Sequence, residues 1–175
     1  AGFLAVGNGD EGEPVALRSA DGDAWEAAAV DFGDDADEGR VQVAAAAAAG
    51  DRVMVLGFAL EGMSVEEGSS YTVELSTSIS EDGGTSWQQG QVPDVEQTEE
   101  GIPGLWSETR PTLVAHGGGF LLGTGPLGPV GPTTALWSLA PGGDWTRIGD
   151  TADLFDDEPL ELLHSTGDSV LAFTR

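Results

Sequence analysis

Ser80-Glu81-Asp82-Gly83-Gly84-Thr85-Ser86-Trp87 sets a short carboxylate and two glycines between a serine and a tryptophan. Aspartate beside glycine is turn chemistry. The carboxylate accepts hydrogen bonds from turn N–H groups, and glycine takes the backbone conformations a tight turn demands. The tryptophan then offers a large aromatic surface to a core. The pattern recurs on either side. Ser19-Ala20-Asp21-Gly22-Asp23-Ala24-Trp25 is one residue shorter. Ala140-Pro141-Gly142-Gly143-Asp144-Trp145 keeps the glycine and the tryptophan, with its aspartate displaced. The tryptophans are 62 and 58 residues apart (87 − 25 and 145 − 87). A period of that size means an array of similar units.

Short apolar runs keep phase with these hairpins. Gly2–Gly7, Asp51–Gly57, Gly119–Gly123 and Asp168–Phe173 are bounded by turn residues and read as buried strands. The last three each follow another apolar run across a glycine-containing turn: Val41–Ala49, Thr112–Ala115 and Leu160–Leu163. The first three each lead to a strand before the tryptophan hairpin: Val15–Arg18, Tyr71–Ser78 and Thr134–Leu139. The unit is therefore four strands, A to D, with the hairpin joining C to D. Tandem four-stranded units are the blades of a β-propeller. Ala44–Ala49 could instead form a helix, because alanine is the best helix former. An innermost strand, crowded at the axis, accounts for the same small side chains.

The expected fold is thus all-β: propeller blades of four antiparallel strands, roughly three to four of them. They form a single segment over residues 1–175, with blade parts at about 1–30, 41–93, 111–149 and 159–175. Closed propellers use about four to eight blades. The expectation is that the ring is completed by further blades of a longer polypeptide or by other copies of the chain.

The hairpin pattern resembles the Asp-box, or bacterial neuraminidase repeat, of sialidase-like and sortilin-like propellers. That family's pattern is Ser-x-Asp-x-Gly-x-Thr-Trp, and Ser80–Trp87 matches it with Ser86 in the threonine position. The resemblance gives Ser19, Asp21, Trp25, Ser80, Asp82, Gly84, Trp87 and Trp145 structural roles, the aspartate capping the turn and the tryptophan packing into the blade. It also implies a secreted protein, in the extracellular space or the cell envelope.

The chain has 6 arginines, no lysine and 31 acidic residues, for a net charge of −25. Such a surface repels phosphate backbones and anionic lipid, which disfavours nucleic-acid and membrane-surface binding. There is no cysteine, which removes disulfides and thiolate metal sites. No stretch approaches the roughly 20 apolar residues of a membrane span.

Fifteen of the acidic residues fall in three D–A connections: Asp31–Gly39, Asp94–Glu108 and Asp150–Glu158. In a propeller these connections share one face, opposite the C–D turns. Each also carries a large aromatic: Phe32, Trp106 and Phe155. An acidic rim with apolar anchors suits a basic peptide or a partner protein. The candidate partner-binding residues are Phe32, Asp34, Asp35, Asp37, Trp106, Glu108, Phe155, Asp156, Asp157 and Glu158. The aromatics could instead be tucked between blades. Asp35-x-Asp37-x-Gly39 and Asn8-x-Asp10-x-Gly12 echo the opening of calcium loops but lack the bidentate glutamate. No cofactor and no metal site are expected; Asp35 and Asp37 are the candidate ligands should calcium bind.

An enzyme reading must find its residues. Sialidases of the resembling fold use an arginine triad, a Tyr nucleophile paired with Glu, and an acid/base Asp. Here the one tyrosine, Tyr71, begins a strand, and Arg18, Arg40, Arg52, Arg110, Arg147 and Arg175 are scattered. His116 and His164 occupy corresponding A–B turns, which points to a repeat-structural role. No catalytic residue is assigned. The expectation is a non-catalytic binding or scaffold propeller. The alternatives are a fragment of a carbohydrate-active propeller with its catalytic residues elsewhere and a calcium-stabilised structural blade set.

Overall fold

The computed structural model of the chain describes residues 2–33, 41–61, 72–93, 111–124, 135–148 and 160–174. The described residues are all-β, without a helix, and form four antiparallel sheets. Each sheet is a meander in which strands pair with their neighbours in sequence. The first contains β1 (Phe3–Asn8), β2 (Pro14–Ser19) and β3 (Glu26–Ala29). The second contains β4 (Val41–Ala49), β5 (Arg52–Glu61), β6 (Thr72–Ser80) and β7 (Gln88–Gln89). The third contains β8 (Thr112–His116), β9 (Gly119–Thr124), β10 (Ala135–Leu139) and β11 (Trp145–Arg147). The fourth is the hairpin β12 (Leu160–Ser165) and β13 (Val170–Thr174). Among the described residues, none of the sheets closes into a barrel.

The alanine run is a strand. Ala45–Ala49 pair with Arg52–Leu56 across the Gly50-Asp51 turn, with a register shift between Val43 and Ala45. Helix propensity is worth under about 1 kcal/mol per residue, and tertiary context overrides it. Here the context is β5, whose Val53–Leu56 are buried. Gly50 sits at φ 69°, a conformation the two-residue turn needs and alanine resists.

The chain divides into two compact units: Ala1–Ala59 with Leu75–Val92, and Leu60–Glu74 with Pro93–Arg175. The core of the first unit joins Ala16, Val30, Phe32, Val41 and Val55, with Leu4, Val6, Val43 and Trp87 packed against them. Gly57 on β5 is where this packing is tightest. A side chain there would collide with Val41 and with the ring of Phe32. The core of the second unit joins Leu121, Leu160 and Leu163, flanked by Val114, Leu136, Ile148 and Val170. Gly123 on β9 has the matching role, because a side chain there would collide with Leu160 and with the Thr112 hydroxyl and crowd Leu163.

Each unit also keeps exposed apolar residues on its strands: Phe3 and Leu17 in the first, Leu162, Leu171 and Phe173 in the second. In β12 and β13, Leu162 stands opposite Phe173, so these two share a face.

Candidate functional site

The hairpin between β6 and β7 is organised by two side chains. Ser80 is buried, and its Oγ accepts from the Gly84 N–H at 2.7 Å while donating to Asp82 Oδ1 at 2.9 Å. Asp82 Oδ1 in turn accepts from the N–H groups of Thr85 and Ser86 at 2.9 and 2.8 Å. Its second oxygen accepts from the Ser86 hydroxyl at 2.7 Å. These donors stabilise the charged carboxylate, those of Ser86 foremost, and hold its pKa down to about 2. Gly83 and Gly84 take φ of 70° and 84°, which lets the chain wrap around the carboxylate.

The β2–β3 hairpin repeats the scheme one residue shorter. Ser19 Oγ accepts from the Gly22 N–H at 2.8 Å and donates to Asp21 Oδ1. Asp21 Oδ1 accepts from the N–H groups of Asp23 and Ala24, with Asp23 the larger influence, and its pKa is lowered too. The β10–β11 turn is closed differently: the Gly143 N–H donates to the Ala140 carbonyl, and Gly142 takes φ 67°. Here the backbone does what the displaced Asp144 does not.

The tryptophans diverge. Trp87 packs against the core of the first unit. Its indole Nε1 is buried without a hydrogen-bond partner among the described residues. Trp25 is 45% exposed and donates from Nε1 to the Gly22 carbonyl, so it braces its own turn instead of filling a core. Trp145 starts β11, half-buried, opposite Leu139.

Of the predicted partner-binding residues, only Phe32 lies within the described residues, and there the expectation is corrected. Phe32 is completely buried, at the centre of the first core, and cannot anchor a partner from the surface. The signal was present in Val30-Asp31-Phe32. Its strand-like alternation buries both apolar residues and turns Asp31 outward, where the carboxylate accepts from the Gly33 N–H. Asp34, Asp35, Asp37, Trp106, Glu108, Phe155, Asp156, Asp157 and Glu158 lie outside the described residues, as does Tyr71.

The loop Asn8–Glu13 has a role that sequence reading missed. Asn8 Oδ1 accepts from the Val43 N–H at 2.9 Å, and Nδ2 donates to the carbonyls of Val41 and Gly12, both at 2.8 Å. One amide therefore clips the end of β1 to the start of β4 and closes its own loop. Its oxygen accepts from the backbone of β4. Among the described residues, no three His, Asp or Glu side chains form a metal-holding group. No helix there is long and apolar enough to cross a membrane. Arg52 pairs with Glu81 at 2.9 Å. His116 Nδ1 lies 3.4 Å from Ser165 Oγ, joining the ends of β8 and β12 within the second unit.

Comparison with protein-family models, with curated proteins and with solved structures finds no match to this chain.

Proposed function

We propose that this chain is a set of Asp-box β-propeller blades acting as a non-catalytic binding scaffold. Its acidic D–A connections engage a cationic or protein partner. One observation carries the architectural half. Two hairpins 61 residues apart (80 − 19) use the same serine and aspartate to satisfy the same class of turn amides, each joining the last two strands of its sheet. Meandering four-stranded antiparallel sheets support the same reading. The exposed apolar residues of β1, β2, β12 and β13 are accounted for if further blades, or other copies, stand against those sheets. The binding half rests on the placement of 15 of 31 acids in three connections. That concentration draws a basic partner from solution and aligns it at low salt.

The test compares two triple neutralisations of equal charge. Asp34, Asp35 and Asp37 are changed to asparagine in one variant, and the exposed Asp23, Asp144 and Asp168 in the other. Binding of an arginine-rich peptide is measured across a salt series. The first variant is expected to lose affinity and salt dependence while the second retains both. Equal losses would reduce the effect to net charge. Hydrolysis of a fluorogenic sialoside by the chain would overturn its non-catalytic assignment.

A further inference from the structure

Three hairpin tips of the first unit border a half-open cavity of about 570 Å³. They are the β2–β3, β4–β5 and β6–β7 turns. The volume lies within the range of small-molecule sites, about 300–1,000 Å³. Its walls are braced, because the Gly83 N–H donates to the Asp51 carbonyl at 2.6 Å and ties two of the tips together.

Four carboxylates and one guanidinium line this space: Asp21, Glu26, Asp51, Asp82 and Arg18. They fall into two sets. Asp21 and Asp82 have their oxygens engaged by turn N–H groups. The side chains of Arg18, Glu26 and Asp51 have no hydrogen bond or ion pair to the described residues, and each is at least partly exposed. Strand register puts Leu4, Arg18 and Glu26 in one row across the first sheet, with Glu26 directly opposite Arg18. Opposite charges in that relation ordinarily attract each other. No ion pair joins these two among the described residues. The arginine stem rests on Gly84: a Cβ added there would lie 3.5 Å from Arg18 Cδ.

We infer that the cavity binds a small zwitterion of amino-acid to tripeptide size, taking the ligand carboxylate at Arg18 and its ammonium between Glu26 and Asp51. A simple anion would face four carboxylates. A simple cation would leave the guanidinium unmatched. Among the described residues, these carboxylates do not form a metal-holding group of three. A ligand with both charges satisfies all three of these side chains, which are unpaired among the described residues, and a guanidinium fork suits a carboxylate. The site is separate from the acidic connections and does not rest on their proposed role.

The test titrates the full chain with tri-alanine, its N-acetyl derivative and its C-terminal amide, followed by calorimetry and by backbone amide NMR. The expected result is saturable binding at millimolar peptide or below, with shifts at Arg18, Glu26, Asp51 and Gly83. Each capped form binds at least about tenfold more weakly, the loss of one charge-assisted contact. Arg18→Gln should bind tri-alanine and its amide equally, and Glu26→Gln should narrow the gap between tri-alanine and its acetyl form. Circular dichroism checks that the variants fold. Equal binding of the capped forms to the wild type, shifts scattered away from the three turns, or no saturable shift would each overturn the inference.

Discussion

Replacing Ser80 by alanine removes one oxygen and strands a buried donor. Ser80 is 1% exposed, and its Oγ accepts the Gly84 N–H at 2.7 Å inside the hairpin. Gly84 is itself buried, so water cannot replace the lost acceptor. An unsatisfied buried donor costs about 1–3 kcal/mol. The hydrogen bond that Ser80 donates to Asp82 is lost as well, which places Ser80→Ala in the upper half of that range. Ser19→Ala is the internal comparison. Its Oγ accepts the Gly22 N–H, but Gly22 is only partly buried, so water recovers much of the loss and the cost is about 1 kcal/mol. Urea unfolding is followed by tryptophan fluorescence, with Trp25 and Trp87 reporting on the first unit. Both variants should lower the midpoint at unchanged slope, Ser80→Ala by the larger amount. A loss under about 0.5 kcal/mol for Ser80→Ala, or a larger loss for Ser19→Ala, would refute the argument that burial ranks the two hairpins.

Asn8→Ala breaks the clip between β1 and β4, leaving the Val43 N–H and the Val41 carbonyl unpaired, and should cost about 2–3 kcal/mol in the same assay. Phe32→Ala should cost about 3–5 kcal/mol, the range for emptying a buried aromatic site. At temperatures where the variant stays folded, it should bind the arginine-rich peptide as the wild type does. Gly57→Ala should destabilise by about 1–3 kcal/mol, since Val41 and Phe32 must move to admit a methyl group. Asp82→Asn tests the pH dependence. The Asp82 pKa is depressed when folded, so its contribution is present above the ordinary carboxylate pKa of 3.8 and is lost as pH falls through about 2. Thermal midpoints of wild type and variant should therefore differ at neutral pH and converge between pH 4 and pH 2.

Local chemistry was legible in the sequence. Asp82 beside two glycines names its own turn, and the amides it binds lie within four residues. The strand runs were legible because their apolar residues end at glycine and aspartate, as at Gly50-Asp51 and Gly117-Gly118. Long-range geometry was not. Asn8 bonds residues 33 and 35 positions away, and nothing about an asparagine after an apolar run announces that reach. Phe32 looked like an anchor because acids surround it in sequence. Its burial follows from Val30 and Phe32 sharing one face, a pattern of two that three residues state only faintly. Trp25 and Trp87 close similar motifs, yet only Trp87 meets a core, because packing depends on which strands lie opposite each hairpin.

The repeat itself is tested most directly by a side-chain carboxyl NMR titration of the intact chain, with Asp21 and Asp82 assigned. The account predicts that both titrate below 3.8, with Asp82 at about 2, because turn amides hold both carboxylates ionised. Titration of Asp82 near 3.8 would mean that its carboxylate does not organise the hairpin, and the shared turn on which the blade reading stands would be gone.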